Sequence, residues 1–250
     1  MTPALLVEGA TLAFGRHTVW RDLSFEVAPG EFVAVLGANG SGKTSLLRAI
    51  LHRQQLSAGR IVAGGEVGII PQQRLFQAGT PLRGRDLVEL GVNGTRFGLP
   101  VTRRGERERV DALIASVGAA EYAMRPVGIL SGGEQQRLRV AQALAADPAL
   151  LLCDEPLASL DLHHQRAVAD LIDERRRERD TAVLFVTHDI NPVLGMVDRV
   201  LYLAEGRHTI GSPDEVLRSD VLSELYGTPI EVFRTDGRVF VAGVPEIGGH

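Results

Sequence analysis

The sequence predicts an α/β protein organised on a mainly parallel sheet, and three observations carry that expectation. Short β-branched apolar runs alternate with longer amphipathic stretches, the pattern of repeated strand–helix units. A glycine-rich stretch, "LGANGSGKTSLL" at 36–47, follows the apolar run "FVAVL" and leads into a helical pattern. Two later apolar runs, "ALLLC" and "AVLFV", end abruptly on polar groups, in "DEP" and "THD".

Taken in order, "LLVEGATLAF" and "LSFEVAPGEFVAVLG" read as strands, with the Pro29-Gly30 turn joining two of them. A helix is expected from Gly42 to about His52, and "EVGIIPQ" is a strand stopped by Pro71. From Gln73 to about Arg125 strand signals cease, leaving Gly-rich loops and one charged amphipathic helix, "RRGERERVDALIASVG". A second helical stretch follows "SGG" at 131–133. Strands resume with "ALLLCDEP", "TAVLFVTHD" and "RVLYLAEG", the first two separated by the helix "HHQRAVADLIDERRRERD". The α/β core, about 1–75 and 145–225, is thus interrupted by a mostly helical insertion, about 76–144. Residues 226–250 read as a C-terminal hairpin turning at Asp236-Gly237, with a loose tail, "PEIGGH". The hairpin could pack on the core, meet a second copy or regulate activity, and the residues do not choose.

Bulk properties narrow the class. A net charge of −4 argues against nucleic acid as the main partner. The longest apolar runs are strand-sized, far short of a bilayer span. The N-terminal residues have no basic stretch of the kind that opens a secretion signal. The single Cys, Cys153, excludes an internal disulfide framework and fits a reducing compartment, so a cytoplasmic protein is expected.

Gly37–Thr44 matches G-x-x-x-x-G-K-[ST] in the strand-to-helix setting that motif requires. Glycines let the backbone wrap phosphates with its N–H groups turned inward, and the helix start adds a positive dipole end. Lys43 is the only Lys among 27 basic residues. A compact ammonium suits a place between β- and γ-phosphates that a broad guanidinium fork does not. The nucleotide-binding set is therefore Gly37, Asn39, Gly40, Ser41, Gly42, Lys43, Thr44 and Ser45, with the Thr44 hydroxyl placed to ligate Mg²⁺. The stretch resembles the phosphate loop of P-loop NTPases, and that resemblance implies a core of the RecA-like type.

Asp154 and Glu155 close an apolar strand at its carboxyl end, where open α/β sheets bind ligands. Alternating side-chain directions would give them separate tasks. Asp154 suits the Mg²⁺ shell, and Glu155 suits polarising a water for attack on the γ-phosphate. His188, at the end of the next strand, can hydrogen-bond the γ-phosphate. His163 and His164 begin a surface helix and show no partner ligands at a metal-binding spacing. The run "DERRRERD" mixes signs and reads as a solvated, salt-bridged face. Ser131 reads as a helix cap, and the glycines after it make a second anion-ready helix start.

In order and spacing, "GANGSGKT", the Gln of "VGIIPQ", "LSGGEQQR", "LLLCDEP", "SLD" and "THD" resemble the ATP-binding subunits of ABC transporters, over essentially residues 4–220. The resemblance implies an ATP-binding domain over 1–225, with an antiparallel β sub-domain beside the core. It also implies ATP and Mg²⁺ as cofactors and a head-to-tail homodimer enclosing two ATP molecules. Ser131, Gly132, Gly133 and Glu134 of one subunit would then close on the nucleotide held by its twin. Gln72 would sense Mg²⁺ and the attacking water, and Asp161 would lie at the dimer seam. Phe14 would stack on adenine; a core Phe at a strand end is the other reading. Glu134 stands where many members have Gln, and Cys153 fills an apolar position.

The resemblance further implies an integral membrane permease as partner, an extracytoplasmic solute-binding protein reached through it, and a location on the inner face of the cell membrane. The details around "RPVGILSGGEQQR" and "THDINPVLGMVDRVLYLAEGRHTIGSPDEVL" look most like subunits of zinc, manganese or iron importers. Siderophore, haem or other small-solute transporters are the alternative. Non-transport ATPases with the same motifs would bring long coiled coils, zinc modules or a tandem second copy, and none is present in this sequence. A non-catalytic nucleotide switch is disfavoured because Lys43, Glu155 and His188 are all present.

Overall fold

The computed structural model describes residues 2–72, 75–93, 104–158 and 160–243. In chain order these form β1 (Leu5–Phe14), β2 (His17–Val27), β3 (Phe32–Leu36), α1 (Lys43–Ile50), β4 (Ala58–Ala63), β5 (Val67–Ile70), α2 (Gly84–Asn93) and α3 (Arg104–Ser116). There follow α4 (Gly132–Leu144), β6 (Leu150–Asp154), α5 (Leu162–Arg179), β7 (Ala182–Val186), β8 (Arg199–Ala204), β9 (Arg207–Gly211), α6 (Pro213–Val216), α7 (Ser219–Tyr226), β10 (Ile230–Thr235) and β11 (Arg238–Gly243). Ser159 of "SLD", much of the Gly-rich stretch before α3 and the tail "PEIGGH" lie outside the described residues. No helix among the described residues is long and apolar enough to cross a membrane.

By its contacts the chain divides into two compact units. One comprises the chain up to Ala4, Ala28–Glu31 and Ala63–Leu184; the other comprises Leu5–Val27, Phe32–Val62 and the chain from Phe185 onward. The division falls inside β7 and before the last residue of β4.

In the first unit β5 and β6 run parallel, Val67 opposite Leu150 and Ile70 opposite Cys153. Leu150, Leu151, Leu152 and Cys153 are all fully buried, as a continuous apolar run covered on both faces requires. Burying each such leucine is worth roughly 1.5–3 kcal/mol. Helices α2, α3 and α5 pack on α4. The sequence predicts only Gly-rich loops where α2 stands. Leu87 and Val88 are buried and anchor the helix, while Gly91 obscures its period. Gly91 is there for closeness: a Cβ on it would sit 2.1 Å from the Gln142 carbonyl oxygen. Any larger residue would push α2 away from α4.

Helix α5 is capped by Asp161 and carries Arg176, Arg177 and Arg179 in its last turn, where cations meet the negative dipole end. The charge run is less solvated than its composition suggests. The Asp173 carboxylate lies 2.8 Å from both Arg176 and Arg177, and Arg176 also donates to the Gly30 carbonyl across 2.9 Å. Asp173 and Arg176 turn inward because each brings the other's partner; the outward half of the run stays in water.

In the second unit β1 lies between β2 and β4 in a three-stranded sheet, antiparallel to β2 with Leu5 opposite Val27 and Phe14 opposite His17. The Pro29-Gly30 turn therefore leads β2 out of that sheet. Strand β3, buried throughout, pairs parallel with β8, Val33 opposite Arg199. Beside β3 the end of β7 follows, Thr187 N–H donating to the Val35 carbonyl at 3.2 Å. The rings of Phe32 and Phe185 lie 5.4 Å apart. Strand β9, which the sequence pattern does not predict, pairs antiparallel with β8 through a Glu205-Gly206 turn. Both turn residues have positive φ, 46° and 81°, the tight hairpin geometry usually signalled by Asn-Gly or Asp-Gly. Strands β10 and β11 form a hairpin at Asp236-Gly237, with Phe233 opposite Phe240.

Candidate nucleotide-binding and hydrolysis site

In the second unit the chain leaves β3 at Leu36 and winds into α1. Gly37, Gly40 and Gly42 take φ of 142°, 84° and 96°, values that side chains other than glycine rarely adopt. A Cβ at Gly37 would fall 2.2 Å from the Leu203 carbonyl oxygen and 2.6 Å from Ser41 Oγ. The loop is closed by Ser41 N–H donating to the Ala38 carbonyl at 3.2 Å. Lys43 is only 6% exposed, and its ammonium donates to the carbonyls of Gly37 (2.7 Å) and Ala38 (2.9 Å). An ammonium is expensive to desolvate and is held here by loop carbonyls. Ser41 Oγ is buried with no hydrogen-bond partner in the structure. Left-handed glycines, a buried cation and an orphaned hydroxyl at a helix start fit a polyphosphate chain. Thr44 is exposed on the first turn of α1, with Asn39 and Gly40 exposed before it and Ser45 half-buried.

His188 is exposed at the end of β7. Its neighbours are tied down: Thr187 Oγ1 donates to the Asp189 carbonyl (2.7 Å) and accepts from the Asp189 N–H (3.2 Å). His188 and Gly37 line one cavity of about 240 Å³, so the structure brings these two residues together. Phe14 sits at the β1–β2 turn and is 53% exposed, presenting a ring rather than filling a core.

In the first unit Asp154 ends β6. The expected strand alternation stops there. Glu155 takes φ 48°, so the turn rather than the pleat sets its direction. Its Oε2 accepts from the Gln72 side-chain amide at 3.2 Å, bringing two of the expected catalytic residues together. Cys153 is fully buried, and burial pushes its thiol far up, with the Asp154 charge adding to the shift. It is an apolar filler, inert as a nucleophile.

Ser131 caps α4 in a reciprocal capping box: its Oγ accepts from Glu134 N–H (3.3 Å), and its own N–H donates to the Glu134 carboxylate (2.7 Å). Gly132 and Gly133 form the first turn. Asp161 caps α5, Oδ1 accepting from His164 N–H (2.9 Å) and Oδ2 lying 2.7 Å from His164 Nδ1. These bonds, the backbone N–H first, hold the Asp161 carboxyl below its ordinary range. His163 and His164 stack edge to face, and no group of His, Cys, Asp or Glu that could hold a metal is found among the described residues.

One linkage has almost no local signal in the sequence. Gln135, 2% exposed on α4, accepts from Phe76 N–H at 2.9 Å and donates to the Leu130 carbonyl at 3.0 Å. The Arg139 guanidinium lies 4.5 Å from the Phe76 ring centroid. Phe76 is thereby fastened to the helix that Ser131 caps. The only signal in the sequence was a Gln on the apolar side of "EQQR".

A profile of the ABC transporter family matches residues 20–158. The chain belongs to the ABC transporter family. Over 97% of its length this ABC ATPase subunit is 37% identical to the Fe(3+) ions import ATP-binding protein FbpC of Streptomyces coelicolor, covering 67% of that protein. It is 38% identical to the zinc import ATP-binding protein ZnuC of Cereibacter sphaeroides, over 85% of the chain and 84% of the relative. It is 39% identical to the aliphatic sulfonates import ATP-binding protein SsuB 1 of Pseudomonas fluorescens, over 79% and 72%. Among solved structures, a chain of an inward-facing transporter described as metal-chelate type superposes with a TM-score of 0.83 at 26% identity, covering 98% of both chains. The ADP form of an ATP-binding cassette superposes at 0.76 with 18% identity, a likeness of fold. ABC ATP-binding subunits bind ATP and are ATPases, and this chain is one.

Proposed function

We propose that this ABC ATPase drives import of a metal ion, iron or zinc, or of a metal chelate, through a separate membrane permease fed by an extracytoplasmic binding protein. The relatives named for iron and zinc import and the metal-chelate type structure support this cargo. The sulfonate-import relative supports a second reading, a small-solute importer.

Bound Mg–ATP supplies the electrophilic phosphorus and a cation that neutralises charge at the leaving group. Lys43 and the loop amides would bind and orient the phosphates, and Thr44, Asp154 and Gln72 are the residues that would hold the metal. Glu155 orients the attacking water and accepts its proton. Gln72 fixes that carboxylate, and this 3.2 Å hydrogen bond is the observation that carries the catalytic reading. His188 donates to the terminal phosphate, and Phe14 stacks on the base. Ser131, Gly132, Gly133 and Glu134 serve the nucleotide of a second copy, with Asp161 at the seam. Closing that dimer would be the stroke passed to the permease at the inner face of the membrane.

The test is reconstitution of the complex co-purified from membranes, with ATPase measured against binding protein loaded with ferric chelate, zinc or an aliphatic sulfonate. Stimulation by iron or zinc alone is expected. Stimulation by sulfonate alone would overturn the metal assignment.

A further inference from the structure

The C-terminal hairpin lies outside the motifs used so far, yet it reaches the turn that carries His188. Asn191 Nδ2 donates to the Val239 carbonyl at 2.9 Å, and Asn191 Oδ1 accepts from the Val239 N–H at 2.8 Å. A side-chain amide here pairs with both polar groups of one β11 residue, as a neighbouring strand would. Val239 is 5% exposed and Asn191 half-buried, so the pairing is partly shielded from water. The same Asn191 is bound back into its own turn. Its N–H and its Nδ2 donate to Asp189 Oδ1 at 2.9 and 2.8 Å. His188 therefore sits in a turn wound by Thr187 and Asp189 and pinned to β11 three residues later.

The hairpin is itself anchored at its far side. Val232 N–H donates to Ser219 Oγ, and Ile230 N–H to Ser223 Oγ, each at 2.9 Å, both hydroxyls belonging to α7. Arg234 pairs with Asp214 at 2.7 Å. Val239, Phe240 and Val241 line the cavity that holds His188 and Gly37. A two-point clamp on an anchored hairpin restricts the His188 turn more than the turn's own bonds would, because a short exposed turn otherwise opens at little cost.

We propose that Asn191 and the β10–β11 hairpin set the orientation of His188, making the C-terminal hairpin a positioning element of the ATPase site. This rests on the assignment of His188 to the terminal phosphate. Asn191 touches no substrate; it acts through the imidazole. Val239 uses its N–H and carbonyl on Asn191, so Val239→Pro removes one clamp bond from the hairpin side, and Asn191→Ala removes both.

The test uses the full chain and two readouts. Amide hydrogen exchange across 187–191, without nucleotide, is expected to quicken about tenfold or more in both variants. ATPase kcat is expected to fall about tenfold to a hundredfold with KM for ATP within about twofold, since orientation and not phosphate affinity is lost. In a His188→Ala background, Asn191→Ala should cost no further activity. Unchanged exchange in Asn191→Ala, unchanged kcat, or a loss that adds fully to that of His188→Ala would each overturn the proposal. His188→Ala turning over at the parent rate would instead remove His188 from the chemistry, a failure read in a different protein.

Discussion

The side-chain amide of Gln72 donates to the carboxylate of Glu155 across 3.2 Å, tying the stretch just after β5 to the turn after β6. Glu155→Gln is expected to bind ATP normally and to hydrolyse it at least ~100-fold more slowly. Gln72→Ala, which leaves the carboxylate but frees it, should cost less, about tenfold. Steady-state phosphate release gives both rates; parent turnover in Glu155→Gln would remove it as the base. Glu155→Gly should abolish turnover while relieving the left-handed backbone, worth up to ~1–2 kcal/mol of folding stability.

Gly37→Ala tests the loop by sterics alone. Its methyl would meet the Leu203 carbonyl, so the protein should lose about 1–3 kcal/mol in denaturant unfolding. Affinity for a fluorescent ATP analogue should fall at least ~10-fold. A variant that keeps both would mean that the loop adapts and that Gly37 is dispensable.

Glu134 places a carboxylate on a helix start expected to meet phosphate. Glu134→Gln keeps a side-chain acceptor for the Ser131 N–H and removes the charge, so ATP-driven dimerisation should tighten about two- to fivefold. Light scattering or analytical ultracentrifugation reads the association. Weaker dimers in the variant would show that the charge serves a contact instead.

Phe14 is more than half exposed, so its truncation should leave the fold intact. Loss of stacking should weaken ATP by about five- to a hundredfold, while Phe14→Tyr restores it. Unaltered affinity in Phe14→Ala would assign the ring to the strand end alone.

His208 in β9 is half-buried, and burial holds its pKa below the usual 6.5 despite the opposing charge of Asp22. The unfolded chain therefore takes up a proton first as the pH falls. The stability tied to neutral His208 is complete above pH ~6.5 and is lost as acidity rises toward its folded pKa. Melting points of the parent at pH 7.5 and 5 should diverge more than those of His208→Gln; equal divergence would place the acid sensitivity elsewhere.

Where the sequence was legible, one local pattern sufficed. "FVAVL" and "LLLC" are continuous apolar runs whose burial admits little but a covered strand, and Gly37–Thr44 dictates its own loop. Where it was silent, the determinant was distant or disguised. Gly91 makes α2 read as loop because its reason, the approach to Gln142, lies on another helix. The Glu205-Gly206 turn lacks the usual Asn or Asp, so β9 passed unseen. Glu155 looked like the next residue of a strand, yet its left-handed φ ends the alternation. The pairing of Asn191 with Val239 joins residues 48 apart, and no local period announces it.

A chain with one lysine also has only one side-chain primary amine; that residue is 6% exposed, its ammonium bonded to loop carbonyls. An acylating reagent has a single side-chain target of this kind, and it sits in the phosphate cradle. The fraction of molecules carrying one such added mass away from the N-terminus, compared with and without ATP, would gauge how far a bound nucleotide shields that amine.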